Sequence, residues 1–150
     1  MTKIPRTPLL IGLAGVTPFV WSALTVLSDP LAVFSLRTLG ARFTGPYIGV
    51  FYGAVILAFS AGVFWGFASK SRGGTASLGY LLAVPPAFWA FFSTGGGHQG
   101  AALNLSIGFL ATLLIDAFFA RYQLAPDWWM SLRIPLTLLT VTCLLITASA

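Results

Sequence analysis

The chain alternates between long apolar stretches and short polar ones. The five long stretches run over residues 7–27, 46–69, 76–94, 101–120 and 132–149, and within them only Asp116 and Arg133 are charged. A helix needs about 20 apolar residues to cross a hydrocarbon core about 30 Å thick, and each stretch is close to that length. The pattern therefore predicts an all-α integral membrane protein, with residues 1–150 forming a single bundle of five transmembrane helices.

The loop after the first span is the longest, and it contains a further helix signal. Ser28-Asp29-Pro30 is typical of a helix start, with a capping side chain followed by proline in the first turn. Gly40 is the first residue after it that would end a helix. We expect a short interfacial helix in this loop, lying on the membrane surface.

The composition excludes a water-soluble protein. Hydrophobic residues make up 57% of the chain, charged residues only 7%, and the mean hydropathy is +0.91. Soluble proteins carry about 25% charged residues, which is what their surfaces require. The expected partner is the lipid bilayer. The net charge of +5 comes from too few cations to predict a nucleic-acid partner.

The basic residues predict the orientation of the bundle. With five spans, one side of the membrane holds Lys3, Arg6, Lys70, Arg72, Arg121 and Arg133, and the other side holds Arg37 and Arg42. Loops rich in lysine and arginine stay on the cytoplasmic side. We therefore expect a cytoplasmic amino terminus and a periplasmic carboxyl terminus in a cell inner membrane, or the equivalent arrangement in a mitochondrial inner membrane.

The second span is rich in small residues, which recur at every fourth position. One ladder consists of Gly45, Gly49 and Gly53, and the other of Ala54, Ala58, Gly62 and Gly66. Helices in lipid associate through close backbone approach, and small residues permit it. We expect the second span to pack centrally against two neighbours, with dimerisation through one ladder as the alternative.

Prolines interrupt two of the spans. Pro18 lies in the middle of the first and Pro85-Pro86 in the middle of the third. Each proline removes a backbone hydrogen bond and bends its helix. Such bends either adjust helix packing, which we favour, or shape a pocket.

The fourth span carries the main candidate site. Asn104, Gly108, Thr112 and Asp116 are spaced four apart and form one polar seam on the helix. An ionisable residue within a span marks either a functional site or a buried ion pair. We favour an ion pair of Asp116 with Arg133, ahead of Lys70 or Arg72. The alternative is that the seam handles a proton or a substrate.

Polar and aromatic residues of the last span have simpler interpretations. Trp128 and Trp129 lie where an aromatic belt is expected, so we interpret them as interface anchors rather than as part of a ligand site. The hydroxyls of Thr137, Thr140 and Thr147 can bond back to their own helix.

Known catalytic and metal-binding patterns are missing from the sequence. It contains no GxxxxGK[ST], HExxH or GxSxG motif, and it has one cysteine and one histidine. We therefore expect no catalytic residues, no metal site and no cofactor.

Three stretches, LIGLAGVTPF at 10–19, YGAVILAFSAGVFWG at 52–66 and LAPDWWMSLRIPLTL at 124–138, support a family resemblance. Together they resemble the uncharacterised integral-membrane family typified by transmembrane protein 69. Members are found in proteobacterial inner membranes and, in animals, are predicted in mitochondria. The resemblance implies compartment and class but no activity.

Two functions remain open on the sequence alone. The first is an accessory, structural or assembly subunit of a larger membrane complex, with other membrane proteins as partners, and we favour it. The second is a binding or transport protein that uses the polar seam of the fourth span for a small apolar or protonatable ligand. A seam closed by side chains would favour the first, and a seam lining an open cavity would favour the second.

Overall fold

A computed structural model describes residues 3–150 of the chain. Within these residues the chain forms seven α-helices and one 3-10 turn at Ala41–Phe43. The helices are α1 (Arg6–Leu27), α2 (Asp29–Thr38), α3 (Tyr47–Ala68), α4 (Gly73–Ala83), α5 (Pro85–Ser93), α6 (His98–Arg121) and α7 (Trp129–Ala148). Helices α1, α3, α6 and α7, and α4 together with α5, are long and apolar enough to cross a membrane. The predicted all-α bundle of five spans is confirmed.

The first loop contains the short helix that the sequence predicts, α2. Proline occupies its first turn, whereas the side chain of Ser28 makes no capping hydrogen bond. The chain turns sharply at Gly40, whose φ of 91° is a conformation that favours glycine. The loop is held to α1 by Trp21, whose Nε1 donates to the carbonyl oxygen of Phe43 at 2.9 Å.

The two proline sites have different effects on their helices. At Pro85-Pro86 the third span is broken, so that α4 ends at Ala83 and α5 begins at Pro85. Proline lacks an amide hydrogen and its ring crowds the preceding turn, which explains the break. Pro18 lies inside α1, which remains one continuous helix through it.

Helix α3 lies at the centre of the bundle and contacts α1, α4, α5, α6 and α7. Its first ladder of small residues packs as expected. A Cβ added at Gly49 would lie 2.5 Å from the hydroxyl of Ser22, and one added at Gly45 would lie 2.5 Å from the Ser22 carbonyl oxygen. A Cβ at Gly53 would meet Leu105 at 3.1 Å. Glycine is therefore required where α3 meets α1.

Most of the second ladder does not pack inside the bundle, contrary to expectation, although Ala54 at its start is partly buried against the core. Ala58, Gly62 and Gly66 are exposed, and a Cβ built at Gly62 or Gly66 meets no atom within 4 Å among residues 3–150, apart from adjacent residues and the nearby backbone of α3 itself. The inward face of α3 carries bulkier residues instead, among them Leu57 and Phe64, both fully buried. These large side chains fill the space between α3 and its neighbours, so the small residues face outward.

An aromatic cluster fills the end of the bundle nearest the loop between α6 and α7. Phe64 stacks on Phe119 with 5.6 Å between ring centroids, and Phe67 packs against Phe119 at the same distance. Phe67 also meets Trp129 edge-on at 5.1 Å. This cluster joins α3, α6 and the start of α7, and thereby places the first turn of α7 against α6.

Two matched substitutions in α3 test the difference between its ladders. Gly49→Ala forces a methyl group against Ser22 and should lower the free energy of unfolding by about 1–3 kcal/mol. Gly62→Ala adds the same group in open space and should leave stability unchanged or raise it by up to about 1 kcal/mol. Thermal unfolding in one detergent compares the two. Equal effects of both substitutions would contradict this packing of α3.

Candidate functional site

The hairpin of α6 and α7 brings the two charged residues of the apolar segments to the same level. Asp116 lies little more than one turn before α6 ends at Arg121, and Arg133 lies about one turn after α7 begins at Trp129. In an antiparallel pair of helices, positions equally far from the connection face each other. The short loop between the helices therefore places the carboxylate beside the guanidinium.

Asp116 and Arg133 form a buried ion pair. The Nε of Arg133 lies 2.8 Å from Oδ2 of Asp116, whose side chain is 0% exposed, while that of Arg133 is 14% exposed. The other two candidate cations lie elsewhere. Lys70 donates to the carbonyl oxygen of Leu124 at 3.2 Å, and Arg72 is exposed. The structure thus pairs Asp116 with the partner that the sequence favours.

Trp129 completes the surroundings of the carboxylate. Its Nε1 donates to Oδ1 of Asp116 at 2.6 Å, so both carboxylate oxygens accept a hydrogen bond. The guanidinium carbon of Arg133 lies 5.7 Å from the centre of the Trp129 ring, within reach of a cation–π interaction. Trp129 therefore uses its polar atom inside the protein, a role that its interpretation as an interface anchor did not include.

Thr112 extends this network by one turn of α6. Its hydroxyl accepts a hydrogen bond from Nη2 of Arg133 at 3.3 Å and donates one to the carbonyl oxygen of Phe109 at 2.7 Å. Thr112 is buried. Two nitrogens of the guanidinium are thus bound to α6, and the orientation of Arg133 is set by both contacts.

The remaining half of the polar seam serves a different contact. The side chain of Asn104 donates from Nδ2 to the carbonyl oxygen of Ser93 at 3.2 Å, and the backbone carbonyl oxygen of Asn104 accepts a hydrogen bond from Nε1 of Trp89 at 2.7 Å. A Cβ at Gly108 would lie 2.6 Å from Leu57 and 2.7 Å from Trp89. Asn104 and Gly108 therefore fasten α5 to α6 and lie apart from the ion pair. The structure brings together only Thr112, Asp116 and Arg133.

Two cavities adjoin these residues. The larger, about 290 Å³, lies between α1, α3 and α7, and its lining includes Arg133, Thr137 and Tyr52. The smaller, about 150 Å³, lies beside the broken third span and is lined by Pro85, Pro86, Trp89, Ile107, Gly108, Ala111, Thr112 and Ile115. Asp116 lines neither cavity and its side chain is fully buried, so a molecule in either cavity does not contact the carboxylate.

Residues 4–149 match the model of a family described as "Protein of unknown function (DUF3429)". The chain belongs to this family. No solved structure matches the chain. The match covers all five spans. The ion pair, Trp129 and both cavities therefore lie within the part of this DUF3429 chain that matches the family.

Two residues of the site in this DUF3429 protein, Trp129 and Thr137, were not predicted from the sequence. Trp129, Arg133 and Thr137 are spaced four apart, so they share one face of α7. Thr147 bonds back to the carbonyl oxygen of Cys143 at 2.9 Å, as expected of the threonines in this span. Thr137 does not: its hydroxyl is buried and has no hydrogen-bond partner among residues 3–150. The spacing from Arg133 is the signal that would have identified both residues.

A matched pair of tryptophan substitutions tests the role of the indole nitrogen. Trp129→Phe removes the donor to Asp116 while keeping an aromatic ring, and should lower the free energy of unfolding by about 1–3 kcal/mol because a buried carboxylate oxygen loses its partner. Trp128→Phe, on the neighbouring residue, should change it by less than about 0.5 kcal/mol. Thermal unfolding in detergent measures both. A loss at Trp128 equal to that at Trp129 would contradict the assignment.

Proposed function

We propose that this protein is an accessory, structural or assembly subunit of a larger membrane complex, without catalytic chemistry of its own. The observation that carries the proposal is that the polar side chains of the seam of α6 form hydrogen bonds within the chain. Asp116, Thr112 and Asn104 all bond to groups of the same chain. A deep acid whose two oxygens are both occupied is suited to holding helices together rather than to moving protons.

The outward face of α3 supplies a surface for a partner. Ala58, Gly62 and Gly66 lie one turn apart and are exposed, and the space at both glycines is open. A second transmembrane helix can approach such a strip closely, which is how helices gain contact energy in lipid. This strip supports a role in which the protein packs against other membrane subunits.

Purification of a tagged protein from its native membrane in mild detergent tests the proposal. Wild type should bring down partner membrane proteins in fixed stoichiometry. The double substitution Ala58→Leu with Gly62→Leu should lose them, because leucine side chains block close approach of a helix. Ala117→Leu, at an exposed position of α6, is the matched control and should retain them. Recovery of the wild-type protein without stoichiometric partners would refute the proposal.

The second candidate function is binding or transport of a small ligand through the fourth span. The observation in its favour is the smaller cavity, where Gly108 and Thr112 of the seam meet Pro85 and Pro86 at the break between α4 and α5. At about 150 Å³ it is well below the 300–1,000 Å³ typical of ligand pockets. We therefore rank this function second.

We further propose that the protein lies in a cell inner membrane, as do the members typified by transmembrane protein 69 that it resembles. The basic residues support a cytoplasmic amino terminus and a periplasmic carboxyl terminus, because six of the eight then lie on the cytoplasmic side.

Reporter fusions test this orientation. A phosphatase that is active only in the periplasm should be active when fused after Ala150, and inactive when fused after Arg72. The first fusion follows the fifth span and the second follows the second span. The reverse pattern of activity would overturn the proposed orientation.

A further inference from the structure

The larger cavity lies between α1 and α3, on the side of their close contact at Gly49 and Ser22 that is nearer to the start of α1. Nearer to the start of α1, the hydroxyl of Tyr52 spans the gap and donates to the carbonyl oxygen of Gly15 at 2.9 Å. The cavity extends from this hydrogen bond to Gly12 and Ile11 of α1. Its volume, about 290 Å³, is near the lower limit for small-molecule sites.

Most of the cavity wall is apolar, and part of it lies at the outer surface of the bundle. Val16, Ile56 and Phe109 line the interior. Ile11 and Phe59, which also line it, are 67% and 66% exposed. Because the exposed side of a spanning helix faces lipid, a molecule dissolved in the bilayer has access between α1 and α3.

Arg133, Thr137 and Thr140 of α7 line one wall of the cavity, and the polar groups of Arg133 and Thr137 are not fully used by the protein. Thr137 is 2% exposed, and its hydroxyl has no partner among residues 3–150. Arg133 uses Nε and Nη2 toward α6, and within the same residues its Nη1 makes no hydrogen bond. A buried hydroxyl without a partner is costly, and nearly all such groups in proteins are satisfied. This pair of donors points to a ligand that accepts hydrogen bonds.

The charge of the site restricts the ligand further. Arg133 and Asp116 neutralise each other, so the wall offers donors without a net positive charge. A free anion entering from lipid would lose its hydration and meet no uncompensated cation. A neutral carbonyl oxygen accepts the same hydrogen bonds without that cost.

We propose that this cavity binds a lipid-soluble molecule through an uncharged carbonyl oxygen. The carbonyl accepts hydrogen bonds from the Thr137 hydroxyl and the Arg133 guanidinium, and the apolar ring or chain occupies the space between Val16, Ile56 and Phe109. Two sources have this chemistry: the ring of a quinone and an acyl ester of a membrane phospholipid. The volume accommodates a ring or part of a chain, with the remainder extending past Ile11 and Phe59 into the bilayer.

The first arm of the test uses a quinone in membranes that lack carbonyl groups. The full chain is placed in nanodiscs of dialkyl-ether phospholipid and titrated with decylubiquinone while tryptophan fluorescence is recorded. Trp129 lines the cavity, so a quinone bound there should quench it. Wild type should show saturable quenching.

The variants compare a cavity hydroxyl with an external one on the same helix. Thr137→Val keeps the shape of the side chain and removes the hydroxyl, and should weaken binding about three- to tenfold, the value of one hydrogen bond. Thr142→Val is the matched control, because Thr142 is exposed and bonds to the Leu138 carbonyl oxygen. It should bind as wild type does. Thr137→Ser retains the hydroxyl and should also bind normally.

A stability measurement without ligand separates binding from folding. Since Thr137→Val removes an unsatisfied hydroxyl, its thermal midpoint should equal or exceed that of wild type. A variant that is at least as stable yet binds more weakly has lost a ligand contact. A lower midpoint in the absence of ligand would mean that the hydroxyl has an internal partner, and would overturn the proposal.

The second arm tests the phospholipid as the source. The protein is purified from membranes of ester phospholipid and examined by native mass spectrometry. One phospholipid retained by wild type and Thr142→Val, and lost from Thr137→Val, supports the site with lipid as its ligand. The proposal is overturned if neither saturable quenching nor a retained lipid is found, or if Thr137→Val and Thr142→Val behave alike in both arms.

Discussion

A single carboxylate, fully buried among apolar helices, constrains the arrangement of this bundle. A charge in this position is stable only when a counter-charge and hydrogen-bond donors surround it. All of those partners come from α7: Arg133 at 2.8 Å and Trp129 at 2.6 Å. The requirement fixes how α7 is rotated and how far it is shifted along α6. A rotation of α7 by one residue, about 100°, would remove both partners at once.

The rotation of α7 has consequences beyond the ion pair. Because Thr137 follows Arg133 by one turn on the same face, directing Arg133 to α6 also sets Thr137 beside the space between α1 and α3. The close contact of Gly49 with Ser22 holds α1 against α3 further along. The bundle is thus tight at that contact and open nearer the start of α1. The cavity follows from these two constraints and requires no special element of its own.

Several features of this fold are predictable from the sequence because lipid leaves few alternatives. Spans must be long and apolar, so the hydrophobic pattern gives their number. A single acid within a span has few cations near enough to pair with it. The short helix after Ser28 and the break at Pro85-Pro86 follow from local backbone chemistry. In each case the hydrophobic pattern, or the covalent structure of a single residue such as proline, determines the local structure.

Other features depend on which way each helix faces, and here the sequence is less informative. In water, an apolar stripe marks the buried side of a helix, but in lipid both sides are apolar. Small residues therefore occur on the packed side of α3, at Gly49, and on the open side, at Gly62. The roles of Trp129 and Thr137 likewise needed the rotation of α7. That rotation becomes predictable only when Arg133 is paired with Asp116. The residues four positions before and after Arg133, which are Trp129 and Thr137, then lie on the same face of α7.

The central claim is that Asp116 and Arg133 act as one structural unit, and a double-mutant cycle tests it most directly. Asp116→Asn and Arg133→Gln are measured singly and together by thermal unfolding in detergent, with the exposed Arg121→Gln as the control cation. Each single substitution leaves a buried charge unpaired and should lower the free energy of unfolding by about 3 kcal/mol. The double substitution should cost no more than either single one, because no unpaired buried charge remains. Losses that add, with each residue acting independently of the other, would contradict the account.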